Sequence, residues 1–377
     1  MNDEASTSCR AALRDADRLV ATYRVSGGHA AAGAAAICVE QTIEFPADLA
    51  PQWIRDEIVG VVELITSEEV TVSFNPAVAG GGLVQLLNVL WGNVSLFDGV
   101  RLVGIEVPPS ISSAMRGPRF GIDGLRARFD ATTRPLLMTA LKPMGRSPAE
   151  LAETAATLAM AGFDIIKDDH GLADQPWAPR RERMAAVAAA VHTANARSGS
   201  AAIYSPSLNS PADRILADAR EAVELGAGAL LVLPGLCGFD AMRALADDDE
   251  LAVPIISHPA FLGAHVIHPE HGIRHGVLFG TVARLAGADI SIFPNYGGRF
   301  SFAPQQCADI GALCRSPLGQ LPPIWPSPGG GMTIERMPEI IQFYGCDVVL
   351  LIGGALHRGD LGNNARRLVD LVHDLDD

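Results

Sequence analysis

The sequence predicts an α/β fold: a small N-terminal α+β domain over residues 1–130, then a (β/α)8 barrel over residues 131–377. Three observations predict it. After residue 130, eight short apolar runs alternate with helix-length segments. Gly162, Gly226, Gly287 and Gly345 each stand between a helical segment and the next apolar run, where a helix C-cap belongs. The ionisable residues of this half gather directly after the apolar runs, where a parallel barrel keeps its chemistry.

In chain order, residues 19–25, 37–45, 59–65 and 69–74 are strand-like. Residues 83–90 have helical character and run into Trp91-Gly92-Asn93. Residues 101–107 alternate apolar and polar, then stop at Pro108-Pro109. The barrel strands are expected at 136–141, 163–167, 201–205, 229–233, 254–257, 289–293, 323–326 and 348–352. Helices are expected at 148–161, 180–196, 211–225, 273–286 and 333–344. The strands are apolar throughout rather than alternating, as parallel strands covered on both faces must be. A doubly wound open sheet is the competing architecture, but no G-x-G-x-x-G follows a first strand.

Of the 377 residues, 48% are hydrophobic and 19% charged, enough apolar material for a large core. A net charge of -14 without a Lys/Arg block excludes a nucleic acid or an anionic membrane surface as the expected partner. No apolar run reaches the about 18 residues that cross a bilayer. Met1-Asn2-Asp3-Glu4 is acidic and lacks an apolar stretch, so a signal peptide is not expected. Cys9, Cys38, Cys237, Cys307, Cys314 and Cys346 form no C-x-x-C pair and read as reduced thiols of a cytoplasmic enzyme.

The densest chemistry follows the second barrel strand, where Lys167-Asp168-Asp169-His170 places an amine, two carboxylates and an imidazole together. Desolvating so many ionisable groups costs too much for a structural core, and carboxylate and imidazole both bind divalent metals. The first strand delivers Lys142, a candidate acid, base or cationic clamp. The third delivers Tyr204 and Ser205, the fifth Ser257 and the catalytic candidate His258, the sixth Tyr296 and the substrate-binding candidates Asn295 and Arg299. Gly329-Gly330-Gly331 and Gly353-Gly354 follow strands seven and eight, where backbone N–H groups of barrel loops take phosphate. His265, His268, His271 and His275 match no zinc spacing and read as loop and helix-start residues. Ser205 and Cys237 lack a nucleophile signature, so covalent catalysis is a weak expectation.

On these residues the chain resembles the large subunit of ribulose-bisphosphate carboxylase, and more closely its form IV, Rubisco-like members. The resemblance implies a ferredoxin-like N-terminal domain, the barrel, and a homodimer in which one subunit's N-terminal domain completes the other's active site. It carries Glu40 of Cys38-Val39-Glu40-Gln41-Thr42 and Asn93 of Gly92-Asn93-Val94 over as substrate-binding residues. It makes Lys142 of Leu141-Lys142-Pro143 the first-strand catalytic lysine. Lys167 becomes the lysine that is carbamylated in the carboxylases, holding a divalent metal, by preference Mg2+, with Asp169. Gly330, Gly331, Gly353 and Gly354 become phosphate sites, and the substrate a phosphorylated small molecule.

The chain also departs from the carboxylases. His170 replaces the second metal-binding glutamate, and Met144 stands near a second first-strand lysine. No arginine follows His258, and Ser291-Ile292-Phe293-Pro294-Asn295 lacks a histidine. The lid lysine has no clean match, which leaves Arg299 as the cation there. CO2 fixation is therefore not expected. Carbamylated Lys167, Asp169 and His170 would offer two oxygens and one nitrogen to a metal. The resemblance implies an enediolate-forming enzyme, with decarboxylation of 3-oxo-isoapionate 4-phosphate as the leading expectation. Its competitors are the transcarboxylase/hydrolase acting on the same compound and a methionine-salvage enolase or isomerase of a methylthio sugar phosphate. An inactive, ligand-binding relative is the remaining one.

Overall fold

A computed structural model describes residues 17–28 and 30–375. The expectations for Met1-Asn2-Asp3-Glu4 and for Cys9 lie outside the described residues. Strand β1 (Leu19–Val25) sits at the middle of a five-stranded sheet, antiparallel to β3 (Glu69–Phe74) and to β4 (Val100–Glu106). Strand β2 (Val61–Ile65) forms one edge. The other edge is the two-residue β10 (Gly272–Ile273), which comes from the barrel half and runs parallel to β4.

That crossing is held by Arg101. Its buried guanidinium donates to the carbonyls of His268, His271, Val266 and Ile273, four acceptors along one loop. Such a fork satisfies loop carbonyls that the sheet leaves unpaired. The histidine-rich segment thus ties the five-stranded sheet to the barrel half, with His275 at a helix start.

Residues 37–45, expected as a strand, end a helix instead: Ala30–Glu40. The alanine run supplies strong helix formers, and Ala30, Ala34, Ile37 and Cys38 form its buried stripe at helical spacing. A second departure lies at 273–286. Ile273 belongs to β10, and a π-helical stretch, Val277–Val282, precedes the short helix Ala283–Leu285. Helix Pro304–Arg315 presses on this segment so closely that a Cβ on Gly280 would lie 2.8 Å from Leu313 Cβ.

Eight parallel strands close the barrel. β5 (Leu136–Leu141), β6 (Ile165–Asp168) and β7 (Ile203–Ser205) pair in that order. β8 (Leu230–Val232), β9 (Ile255–Ser257), β11 (Ile290–Pro294) and β12 (Trp325–Gly329) form the second arc. β13 (Val349–Ile352) returns to β5. The bridge Ser207–Leu231 and the bond from Ser327 Oγ to Val349 O, 3.0 Å, seal the two seams. Met138, Ile165, Ile203, Leu231, Ile256 and Trp325 fill the interior as one apolar cluster. Arg134 clamps Asp164 through two 2.8 Å bonds at the closed end. Gly162 ends the helix Pro148–Ala161 in the left-handed region (φ 100°), which lets the chain turn straight into β6.

Candidate active site

Side chains alternate along each strand, so Lys167 and Asp169 point into the barrel and Asp168 away from it. Asp168 is fully buried against helix Arg180–Ser198. Its carboxylate accepts from Arg183 Nε at 3.1 Å, Tyr204 Oη at 2.9 Å and the Ser207 N–H at 3.2 Å. Arg183 is itself fully buried and donates to the Ala173 and Ala178 carbonyls. This outward knot fixes the end of β6 and so aims the two inward neighbours. Tyr204, expected at the site mouth, belongs to the knot instead.

On the inner side, Lys142 Nζ lies 2.6 Å from Asp169 Oδ2, and His170 Nδ1 lies 3.4 Å from Asp169 Oδ1. Burial opposes the charge on Asp169, but His170, Lys142 and Lys167 outweigh it and hold the carboxyl well below the usual range. Lys167 is 2% exposed and donates to Asp168 O at 3.0 Å. Burial pushes its amine down to about 8, against the pull of Asp169 and with the repulsion of Lys142. The His170 and His258 rings stack 4.4 Å apart at 14°. Burial, then Lys167 and His170, keep His258 neutral by lowering it well below the ordinary value. His258 Nδ1 accepts from the Ala260 N–H at 3.2 Å, so its proton sits on Nε2.

These groups share one cavity of about 910 Å3. Lys142, Lys167, Asp169, His170, His258 and Arg299 line it, together with Gly330, Gly331, Gly353 and Gly354. The Gly331 backbone runs so close to the neighbouring turn that a Cβ there would meet Gly298 Cα at 2.7 Å. Arg299 stacks on Phe300, its Cζ 4.9 Å from the ring centre. Arg358, unmarked in the sequence, also reaches the lining. Its only signal was its position five residues after Gly353.

Asn295, expected to bind substrate, is a correction. It is 1% exposed, accepts from Tyr344 Oη at 2.7 Å and faces Met332 Sδ at 3.3 Å, outside the lining. Pro294 lines the cavity, so its successor points outward into the packing. Glu40 and Asn93 are also outside the lining. They bond to each other, Asn93 Nδ2 to Glu40 Oε1 at 3.0 Å, in the N-terminal half.

Among the described residues, no three His, Cys, Asp or Glu side chains cluster closely enough to hold a metal. Asp169 and His170 supply two donors, and the Lys167 ammonium repels a cation. A carbamate would change the sign of Lys167 and complete an oxygen-rich donor set. The structure has a group suited to meet it: Ser205 Oγ, buried without a hydrogen-bond partner, stands in register with Lys167.

Residues 121–294 match the family model of the ribulose bisphosphate carboxylase large chain, catalytic domain. A ribulose bisphosphate carboxylase-like protein of Rhodopseudomonas palustris is 40% identical over 90% of this chain and 93% of its own length. The 5-methylthioribulose-1-phosphate isomerase of Rhodospirillum rubrum is 40% identical over 90% of this chain and 91% of its own. The crystal structure of a Rubisco-like protein from Rhodopseudomonas palustris superposes with a TM-score of 0.86 at 37% identity. That superposition covers 95% of this chain and 98% of the other.

Proposed function

Because the chain belongs to the ribulose bisphosphate carboxylase-like protein family, we propose that it moves a proton beside the carbonyl of a phosphorylated methylthio sugar, as an isomerase. The observation that carries this is the single cavity joining two lysines, Asp169 and two histidines to both glycine turns. Backbone N–H groups of Gly330, Gly331, Gly353 and Gly354, with Arg299, bind the phosphate. Phe261, Ile267, Phe302 and Met332 add apolar surface to the same lining, suited to desolvating a thioether tail. A sugar acid would bring a further carboxylate to that surface without gain. The apolar surface and the named isomerase relative both favour this reading over the decarboxylation expected from the sequence.

Proton transfer falls to Lys142 and His258. Lys142 takes the proton from the carbon beside the carbonyl, and Asp169, 2.6 Å from its amine, compensates the charge it gains. His258, neutral with its proton on Nε2, donates that proton back to the enediolate. A divalent cation, held by carbamylated Lys167, Asp169 and His170, would add positive charge beside the carbonyl. Glu40 and Asn93 reach substrate from the partner subunit of a homodimer, which accounts for their place outside this chain's own cavity.

The test is a direct comparison of turnover. Purified protein is given 5-methylthioribulose 1-phosphate and, separately, 3-oxo-isoapionate 4-phosphate. Isomer formation from the first supports the proposal. CO2 release from the second without turnover of the first replaces it with the decarboxylase. Inertness toward both favours a ligand-binding relative.

A further inference from the structure

Lys167 is the middle residue of a rung across three strands. Its Cα partners are Ala140 on β5 and Ser205 on β7. Ala140 and Lys167 both line the cavity, and Ile203, two residues before Ser205, belongs to the barrel's interior cluster. Strand alternation therefore turns the Ser205 side chain inward, onto the face that carries Lys167. Neighbouring strands lie about 4.8 Å apart. Ala140 offers no polar atom to this rung, so Ser205 supplies its only hydroxyl.

That hydroxyl is 0% exposed and has no hydrogen-bond partner. A buried hydroxyl left unpaired is costly, so an orphan in register with the Lys167 amine calls for a function. The ammonium cannot take it as a donor, since it has no acceptor lone pair. An anionic group grown on Nζ can.

We propose that Ser205 is a positioning residue for carbamylated Lys167, its Oγ–H donating to a carbamate oxygen; this rests on the reading of Lys167 given above. The neutral amine's lone pair attacks the carbon of CO2 and forms the N–C bond. One C=O π pair moves onto oxygen, and the nitrogen's proton leaves to solvent. The product is an N-carboxylate with unit negative charge. The Ser205 bond holds one of its oxygens and orients the other toward Asp169 and His170.

The experiment is 13C NMR of the full-length protein titrated with 13C-labelled CO2, without substrate. The carbamate resonance is followed in wild type, Ser205→Ala, Ser205→Cys and Ser205→Thr, with Lys167→Arg as the blank. A hydrogen bond to a charged group predicts CO2 affinity about tenfold or more lower in the Ala and Cys variants. Thr, which keeps the hydroxyl, restores it. Thermal melts identify any variant that fails to fold; the near-isosteric Cys form then decides. Unchanged affinity in a folded Ala or Cys variant overturns the role of Ser205, as does wild type without a carbamate signal. Turnover of the methylthio sugar phosphate is measured in parallel, so loss of the carbamate result and loss of the isomerase reading appear as separate failures.

Discussion

Lys142 on the first barrel strand and Asp169 after the second are joined by a 2.6 Å ion pair at the cavity wall. The pair binds the ends of two neighbouring strands and leaves Lys142 partly open to the cavity. It makes the lysine's charge and the carboxylate's position depend on one another.

Replacing Lys142 with Met removes the cavity-lining amine to which the proposed proton transfer falls, but little of the core. Turnover of the phosphorylated substrate falls by roughly 10²–10⁴, and the urea midpoint shifts little. Steady-state kinetics and urea melts on one preparation check both halves.

Asp168 and Arg183 form an ion pair with both side chains fully buried. Arg183→Met strands a buried carboxylate and costs about 3–5 kcal/mol of stability. Urea denaturation measures it. A cost under 1 kcal/mol contradicts the knot as the anchor of β6.

Gly331 has φ of 85° and no room for a methyl group against Gly298 Cα. Gly331→Ala displaces the turn proposed to hold phosphate. The expected result is a KM raised about tenfold or more for the phosphorylated substrate, with inorganic phosphate losing its power to inhibit. An unchanged KM removes this turn from the phosphate site.

His275 is buried edge-on against Phe302, 4.6 Å between ring centres. Burial, then the charge of Arg101, lowers it to about 4, with Asp309 opposing. The folded protein therefore binds this proton less tightly than the unfolded chain. The stability it protects is whole above the unfolded value near 6.5 and drains away as pH falls toward 4, by at most about 3 kcal/mol. Urea melts between pH 7 and 4 show this loss, and His275→Gln flattens the profile. An equally steep profile in the variant assigns the acid sensitivity elsewhere.

If Glu40 reaches a partner's cavity, Glu40→Gln and Lys167→Met homodimers are each inactive, while mixed dimers recover up to about a quarter of wild-type activity from their one intact site. Mixing the two variants under mild dissociating conditions and assaying turnover checks it. No recovery keeps Glu40 out of a shared site.

Much of this architecture was legible because parallel barrel strands are covered on both faces and announce themselves as apolar runs. Strand 136–141 was read to the residue. The end of helix Ala30–Glu40 looks like a strand because Ile37-Cys38-Val39 carries strand-like side chains, while the alanines before it carry the helix. Asn295 directly follows the last residue of β11, and strand alternation, which a position at a strand end does not reveal, turns it toward Tyr344. The Lys167–Asp169–His170 corner was visible as charge after an apolar run. The Asp168–Arg183–Tyr204 knot was not, since its members are brought together only by helix Arg180–Ser198 docking on β6 and β7. Glu40 and Asn93 were found through family resemblance, and nothing in their local pattern marks them.

Proton exchange in D2O reports on the chemistry assigned to this cavity. Incubated with 5-methylthioribulose 1-phosphate and followed by 1H NMR, the wild-type protein should wash out the carbon-bound proton beside the carbonyl, and Lys142→Met should not. A spectrum in which that proton persists with wild-type protein, while a phosphorylated 3-oxo sugar acid loses CO2, would contradict it.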